Sequence, residues 1–103
     1  YDNYTIPTIK KNIYHNGHMF YILCKKNSRN QLRAFLKKFN IESHFHYLPL
    51  ESTTGGKKFG KILKKNKKSF LISKNILRLP FHNNITKKQI EFISAKILEF
   101  YKY

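Results

Sequence analysis

The chain has 103 residues, 41% of them hydrophobic and 16% aromatic, and this composition predicts one globular domain rather than a disordered polypeptide. The sequence contains no apolar run near the roughly 18 residues of a membrane span, which argues against an integral membrane protein. The single cysteine, Cys24, excludes a disulfide framework and a cysteine-based zinc site. Such cysteine usage is typical of a reducing compartment, so we expect a cytoplasmic protein. Because the chain begins at Tyr1 and not at a methionine, we expect a piece of a longer polypeptide.

The charge is strongly positive, with 21 lysines and arginines against 5 acidic residues and a net charge of +16. Such a balance is typical of proteins that bind nucleic acid, membrane surfaces or phosphorylated ligands. Only three of the basic residues are arginines, however, and proteins that read nucleic acid rely on arginine for bidentate contacts to guanine and phosphate. Abundant lysine, asparagine and isoleucine also follow from A/T-rich codons. We therefore expect a solvated basic surface, no specific nucleic-acid partner and no membrane partner, with a basic nucleic-acid-binding module as the alternative.

The first half of the chain predicts a connector, a strand, a helix and a second strand. Residues 1–14 lack hydrophobic periodicity and predict a connector, whereas the run 18–24 is apolar on both alternating faces and predicts a strand covered on both sides. Ser28 is a favourable N-cap for a helix that Asn40 can end in the left-handed conformation. The apolar stripe of that helix is Leu32, Phe35, Leu36 and Phe39. Residues 42–48 alternate and predict a second strand, ended by Pro49.

The second half predicts a loop, two short helices, a third strand and a final helix. Residues 49–57 carry two glycines and predict a loop, and a lysine-rich helical turn follows around Phe59, Ile62 and Leu63. Ser69 is placed to cap a short helix over residues 70–72, and residues 76–79 predict the third strand. Thr86 and Gln89 form a capping-box pattern that opens the last helix. The predicted buried stripe of that helix is Ile90, Ile93, Ile97, Leu98 and Tyr101.

This β-α-β-(short α)-β-α order predicts an α+β fold, an α/β sandwich in which helices cover a small sheet.

Few side chains suggest catalytic or metal-binding chemistry of their own. His44 and His46 share one face of the predicted second strand about 7 Å apart, but a metal site needs further ligands that only the fold could bring close. We expect no metal site, a buried structural thiol at Cys24, and no carboxylate pair among the acidic residues.

Four segments, taken in order, resemble the C-terminal part of the DegT/DnrJ/StrS sugar aminotransferases. The two most specific are His15-Asn16-Gly17-His18-Met19-Phe20-Tyr21-Ile22 and Phe45-His46-Tyr47-Leu48-Pro49-Leu50. Gly56-Lys57-Lys58-Phe59-Gly60 and the stretch from Ser73 to Leu77-Arg78-Leu79-Pro80 support them through order and spacing. The resemblance extends from about residue 6 to the C-terminus and covers only the last quarter or so of such an enzyme.

The resemblance implies the small C-terminal domain of a type I enzyme that depends on pyridoxal phosphate (PLP). Such enzymes work as homodimers and usually transfer an amino group from glutamate to a 4-keto nucleotide sugar, in the synthesis of surface polysaccharides such as lipopolysaccharide. Residues 1–14 would then connect a missing large domain to a small domain over residues 15–103. Since the Schiff-base lysine of the family lies in the large domain, we assign no catalytic residue here. We expect the chain alone to bind no PLP and to be inactive.

The resemblance also suggests substrate-binding residues at the end of the predicted second strand. His46 and Tyr47 would lie nearest the cleft and donate hydrogen bonds to sugar hydroxyls or phosphate. An equally weighted alternative is that Tyr47 packs in the core while His46 alone points outward. The family usually has histidine where Glu51 stands and often proline where Thr54 stands. We include Glu51 among the substrate-binding residues, and a carboxylate there would repel a diphosphate unless a lysine paired with it.

Overall fold

The structure, a computed structural model, describes residues 2–61 and 67–102. Strand β2 (Tyr21–Cys24) lies in the middle of an antiparallel three-stranded sheet, between β1 (Tyr4–Thr5) and β3 (Ile76–Arg78). The register pairs Tyr4 with Cys24 and Ile22 with Leu77. Alternation buries Ile22 and Cys24 on one face of β2, while Tyr21 and Leu23 stay half-buried on the other. The strand predicted over residues 18–24 is confirmed only for its last four residues, Tyr21–Cys24, and only one of its faces is fully covered.

Four helices and a 3-10 turn complete the described architecture. Helix α1 (Arg29–Lys37) and helix α4 (Lys87–Phe100) pack against each other beside the sheet. Between them in the chain come the 3-10 turn (Leu50–Ser52), helix α2 (Thr54–Phe59) and helix α3 (Lys67–Asn75). The fold class is therefore α+β, as predicted. No helix in the described ranges is both long enough and apolar enough to cross a membrane.

The core lies between one face of the sheet and the helices α1 and α4. Leu32 and Leu36 of α1 and Leu77 of β3 are completely shielded from solvent. The other apolar members of this cluster are Tyr4, Ile22, Cys24, Ile41 and Ile97. Burial of this set from both ends of the chain supplies the hydrophobic free energy that joins the elements. In α4 the predicted stripe is only partly right, because Ile90 and Leu98 remain exposed.

Two helix-boundary predictions are confirmed. Asn40 adopts a φ of 57°, the left-handed conformation expected just past α1. Thr86 caps α4: its Oγ1 accepts from the Gln89 N–H, and the Gln89 side chain accepts from the Thr86 N–H at 2.8 Å. Ser28 does occupy the position before α1, but its side chain makes no capping hydrogen bond.

Three other elements differ from prediction. Residues 42–48 form no strand and make only one isolated bridge, between His44 and Arg78. Beyond that bridge the segment lies beside α3, where it shares a cleft with Phe70, instead of following β3. The predicted loop 49–57 is instead a 3-10 turn followed by α2. Ser69 lies inside α3, which begins at Lys67, and not at the position before the helix.

The remaining predictions concern the N-terminal connector and the lysine-rich segment. Within the predicted connector, Tyr4 and Thr5 form the edge strand β1, and the Tyr4 ring is buried. A two-residue strand leaves no periodicity to detect, so the sequence could not indicate it. Phe59 ends α2, whereas Ile62 and Leu63 of the predicted basic turn lie outside the described residues.

Candidate functional site

The segment that carries the predicted site is attached to the sheet at one point. The His44 N–H donates to the Arg78 carbonyl oxygen at 3.0 Å, and the Arg78 N–H donates back at 2.7 Å. Behind this bridge, the Arg33 guanidinium donates from Nε to the Ser43 carbonyl at 3.1 Å and stands 5.7 Å from the centre of the Phe45 ring. These contacts fix where residues 45–50 leave the sheet and cross toward α3.

The two predicted substrate-binding rings, His46 and Tyr47, have opposite exposure. The Tyr47 side chain is 82% exposed, so the alternative that it packs in the core is wrong. His46 is half-buried, and its Nδ1 is shielded from solvent with no hydrogen-bond partner in the described structure. The ring centres lie 4.8 Å apart. His46 therefore turns inward, while the Tyr47 phenol faces solvent.

His46 opens into a cleft of about 400 Å³ between its own segment and α3. One wall is apolar and comes from Phe45, Leu48 and Pro49; the facing wall holds Phe70, Ser73 and Lys74 of α3, and Ser52 and Arg29 complete the lining. The Arg29 Nη1 donates to the Ser73 carbonyl oxygen at 2.6 Å, which ties α1 to the last turn of α3. That carbonyl belongs to the last four of the helix, which lack partners within it. This hydrogen bond therefore joins α1 to the α3 wall of the cleft, although the two helices are distant in sequence.

Sequence reasoning missed the cleft residues contributed by α1 and α3. Arg29 lines the cleft together with Lys74 and donates to Ser73, 44 positions away, through tertiary packing, so no spacing in the sequence could reveal them together. The one available signal is that Arg29 belongs to a set of only three arginines in a lysine-rich chain.

Glu51, the third predicted site residue, is turned toward α3. Its Oε1 accepts a hydrogen bond from the Ser69 hydroxyl at 2.9 Å, and it is not among the described residues that line the cleft. The next turn is fixed by Thr53, whose Oγ1 accepts from the Gly56 N–H at 2.9 Å and donates to the Leu50 carbonyl at 2.8 Å. Thr54 is the exposed first residue of α2. Residues 53–56 of the predicted loop thus form the cap and the first turn of α2.

The remaining histidines do not join the cleft. His44 is exposed, with its Nε2 4.0 Å from the Glu42 carboxylate, and the His15 Nδ1 accepts from the Gly17 N–H at 2.9 Å. Across residues 2–61 and 67–102, no three side chains of His, Cys, Asp or Glu are grouped as a metal site would require.

The described residues do not fit PLP as a whole. The cofactor takes a lysine for its Schiff base, a charged partner for its pyridine nitrogen, and donors for its phosphate. The cleft supplies cationic donors in Arg29 and Lys74, but its described lining contains no aspartate or glutamate. The carboxylate of Glu51 is hydrogen-bonded to Ser69 instead. We therefore derive no chemical step through the cofactor from this chain.

Comparison with known proteins identifies the fold and the family. The family model of the DegT/DnrJ/EryC1/StrS aminotransferases matches residues 2–98. The chain superimposes on a DegT DnrJ EryC1 StrS aminotransferase from Brucella abortus with a TM-score of 0.84 and 23% identity, covering 96% of this chain and 26% of that one. DesV from S. venezuelae, solved in complex with a ketimine intermediate, gives a TM-score of 0.84 at 16% identity, covering 95% of this chain and 26% of that chain.

A third similar structure is the PLP form of Spr1654 from Streptococcus pneumoniae, a protein described as a sugar aminotransferase. Its TM-score is 0.77 at 21% identity, with 91% of this chain and 25% of that chain covered. The chain thus spans about a quarter of the length of these solved structures. Because the family model matches nearly its whole length, the chain belongs to the DegT/DnrJ/EryC1/StrS aminotransferase family.

Proposed function

We propose that this chain is the small C-terminal domain of a cytoplasmic, PLP-dependent nucleotide-sugar aminotransferase. In this proposal residues 1–14 connect it to a large domain, and residues 15–103 form the small domain. The longer protein works as a homodimer and transfers an amino group from glutamate to dTDP-4-keto-6-deoxyglucose, in the synthesis of lipopolysaccharide or another surface polysaccharide.

The observation that carries the proposal is the cleft beside His46. The segment 45–50, one of the two most specific parts of the family resemblance, supplies one wall of that cleft. His46 belongs to the same segment and lines the cleft as well. Its imidazole carries ring nitrogens of the kind that hydrogen-bond to hydroxyl and phosphate oxygens. His46 is therefore the residue to which we assign substrate contact.

Tyr47 and Glu51 have more peripheral roles in the proposal. The exposed Tyr47 ring stacks obliquely beside His46 and offers its hydroxyl from outside the cleft. The Glu51 carboxylate is engaged with Ser69, which turns it toward α3 and moderates its repulsion of a diphosphate. Glu51 thus supports the position of α3 opposite His46.

The residues that line the cleft suggest which domain of the longer protein would hold PLP. Its cleft holds cationic donors but no carboxylate for the pyridine nitrogen in the described lining, so the cofactor would be held by the large domain. The small domain would then bind and orient the sugar nucleotide. The isolated chain would be inactive.

Reconstitution with PLP tests this proposal. The 103-residue chain and the longer protein are each incubated with stoichiometric PLP, reduced with borohydride and analysed by peptide mass spectrometry. We expect one stoichiometric lysine adduct in the longer protein, upstream of this chain, together with amino transfer from glutamate to the keto sugar. The chain alone should give only sub-stoichiometric labelling spread over its lysines. A single stoichiometric adduct on the isolated chain would overturn the proposed division.

A further inference from the structure

Another cavity, of about 380 Å³, lies where the end of α1, the residues after β3 and the first half of α4 meet. Its lining comes from residues 39–41 just past α1, from 80–85 between β3 and α4, and from 88–93 of α4. It shares no lining residue with the cleft beside His46, and the function proposed above gives it no role. We call it the α1–α4 pocket. Its volume is within the usual range of small-molecule sites.

The inside of the α1–α4 pocket is apolar. Ile41, which is 5% exposed, is its most buried member, and Phe39, Ile85 and Ile93 are half-buried around it. Phe92 completes the apolar lining and is 47% exposed. Water in this pocket would contact apolar surface, so a ligand with an apolar body would gain free energy by displacing it.

Contacts within the domain hold the lining in place. The Lys96 Nζ lies 3.9 Å from the centre of the Phe39 ring. The Ile41 N–H donates to a carbonyl in the last turn of α1 at 3.1 Å, and the Ile85 N–H donates to the His82 carbonyl oxygen at 3.1 Å. A pocket whose walls are already ordered costs less entropy to fill.

The charge at the pocket is positive and uncompensated. Lys88 lies in the first turn of α4, which contains no acidic residue, although the partial positive charge of a helix N-terminus favours one there. Lys87 pairs with Glu91 one turn further on at 3.9 Å, but the residue at the equivalent distance from Lys88 is Phe92. Within residues 2–61 and 67–102, no carboxylate lies within ion-pair distance of Lys88, and none lines the pocket. The ligand that fits this site therefore carries a negative charge.

We propose that the α1–α4 pocket binds a small organic acid, in which an aromatic or branched aliphatic body carries one carboxylate. The body lies against Ile41, Ile85 and Ile93, and the carboxylate pairs with Lys88 at the N-terminus of α4, with the His82 imidazole as a further donor. A hydrated inorganic anion would leave the apolar lining exposed to water, and a neutral ligand would leave Lys88 without a partner. Since a single lysine supplies the side-chain charge, one carboxylate matches it.

Titrations of the 103-residue chain with three probes test this proposal. The probes are phenylacetate, the neutral phenylacetamide of nearly the same shape, and acetate, which lacks the apolar body. Binding is measured at physiological salt by NMR of the isoleucine methyl groups. Lys88→Met is compared with Lys87→Met, which removes the same charge from the neighbouring position outside the pocket. Phe92→Ala is compared with Phe81→Ala, since the two rings are 47% and 49% exposed and only Phe92 lines the pocket.

We expect phenylacetate to bind about fivefold more tightly than phenylacetamide, the usual order for a charge contact at a partly exposed helix N-terminus. Acetate should show no saturable binding. Lys88→Met should remove the advantage of phenylacetate and leave phenylacetamide binding unchanged, whereas Phe92→Ala should weaken both. Lys87→Met and Phe81→Ala should leave the binding of both probes unchanged.

Equal weakening by Lys88→Met and Lys87→Met would overturn the proposal, because the net charge and not the pocket would then attract the probe. Phenylacetate binding without shifts of the Ile41, Ile85 and Ile93 methyl resonances would overturn it as well. Should Phe92→Ala unfold the chain, seen by circular dichroism, the exposed Lys88 still decides the outcome. None of these readouts depends on amino transfer by the longer protein.

Discussion

The Ser28 Oγ lies 2.9 Å from the hydroxyl oxygen of Tyr101, although 73 positions separate them in the chain. Ser28 also donates to the Lys25 carbonyl at 2.8 Å, and the Tyr4 ring stacks on Tyr101 with ring centres 5.4 Å apart. The buried Cys24 pairs in register with Tyr4 and belongs to the same core cluster. The end of α4, the start of α1 and the first two strands thus meet at one buried polar cluster, which defines one side of the domain.

Removing the Tyr101 hydroxyl tests this cluster. We expect Tyr101→Phe to lower the free energy of unfolding by about 1 kcal/mol, because Ser28 loses a partner in a mostly buried position. Tyr47→Phe is the matched control, since it removes a hydroxyl from a side chain that is 82% exposed, and its effect should stay below about 0.5 kcal/mol. Urea unfolding measures both. Equal effects of the two variants would show that the Ser28–Tyr101 contact stabilises nothing.

The same cluster predicts how stability depends on pH. Burial raises the pKa of the Cys24 thiol above its usual value of 9.0 and that of the Tyr101 phenol above its usual value of 10.0. In the unfolded chain both groups lose their protons at lower pH than in the folded one. The unfolded state therefore binds fewer protons, and stability falls as the pH rises through this range.

Urea unfolding between pH 7 and pH 11 measures this dependence. The contribution should be fully present below about pH 8 and decline steadily above the usual thiol pKa. A variant combining Cys24→Ala with Tyr101→Phe should show a flatter alkaline decline than the wild-type chain. If the declines coincide, neither group titrates differently in the folded and unfolded states.

Local signals in the sequence predicted the ends of helices better than the strands. The Thr86 capping box and the left-handed Asn40 depend on neighbouring residues, and both are confirmed. The alternation of residues 42–48 predicted a strand, but a strand also needs continued pairing with a neighbour, and this segment pairs with β3 only at Arg78. Pairing partners are set by the tertiary fold and not by the alternating sequence itself.

The candidate site, too, could be predicted only in part. The sequence placed His46 and Tyr47 in one segment, and the family resemblance identified that segment. The sequence could not indicate which of the two rings turns inward, because alternation assigns faces only within a strand and residues 42–48 form none. Contacts across the cleft, such as Arg29 to Ser73, join residues 44 positions apart, so they could not be predicted from local pattern.

Substitutions at the adjacent glycines Gly55 and Gly56 test the turn that follows residues 45–50. A Cβ on Gly56 would collide with the Leu50 carbonyl oxygen, whereas a Cβ on Gly55 meets nothing within 4 Å. We expect Gly55→Ala to be neutral or to stabilise the chain by up to about 1 kcal/mol, as alanine does in helices. Gly56→Ala should be destabilising, since backbone must move to relieve the clash. Thermal unfolding compares the two, and a Gly56→Ala variant as stable as Gly55→Ala would contradict the packing described for Leu50.

Nucleic-acid binding tests the alternative that the charge suggested. With a net charge of +16, mostly from lysine, we expect binding that is weak, blind to sequence and steeply dependent on salt. Two unrelated RNAs and one DNA should bind with similar affinity at low salt and lose it together at physiological salt. Tight binding of one RNA alone at physiological salt would favour a nucleic-acid-binding module over an aminotransferase domain.

The placement of the nucleotide sugar beside His46 is tested by measuring the two half-reactions of the longer protein separately, in the His46→Ala variant. His44→Ala is the matched control, because His44 is exposed and lies outside the cleft. We expect His46→Ala to slow amino transfer to the nucleotide sugar about tenfold more than the half-reaction with glutamate, since the small donor does not reach the cleft. His44→Ala should leave both half-reactions unchanged. Equal losses in the two half-reactions of His46→Ala, with an unchanged free energy of unfolding, would contradict the placement of the nucleotide sugar beside His46.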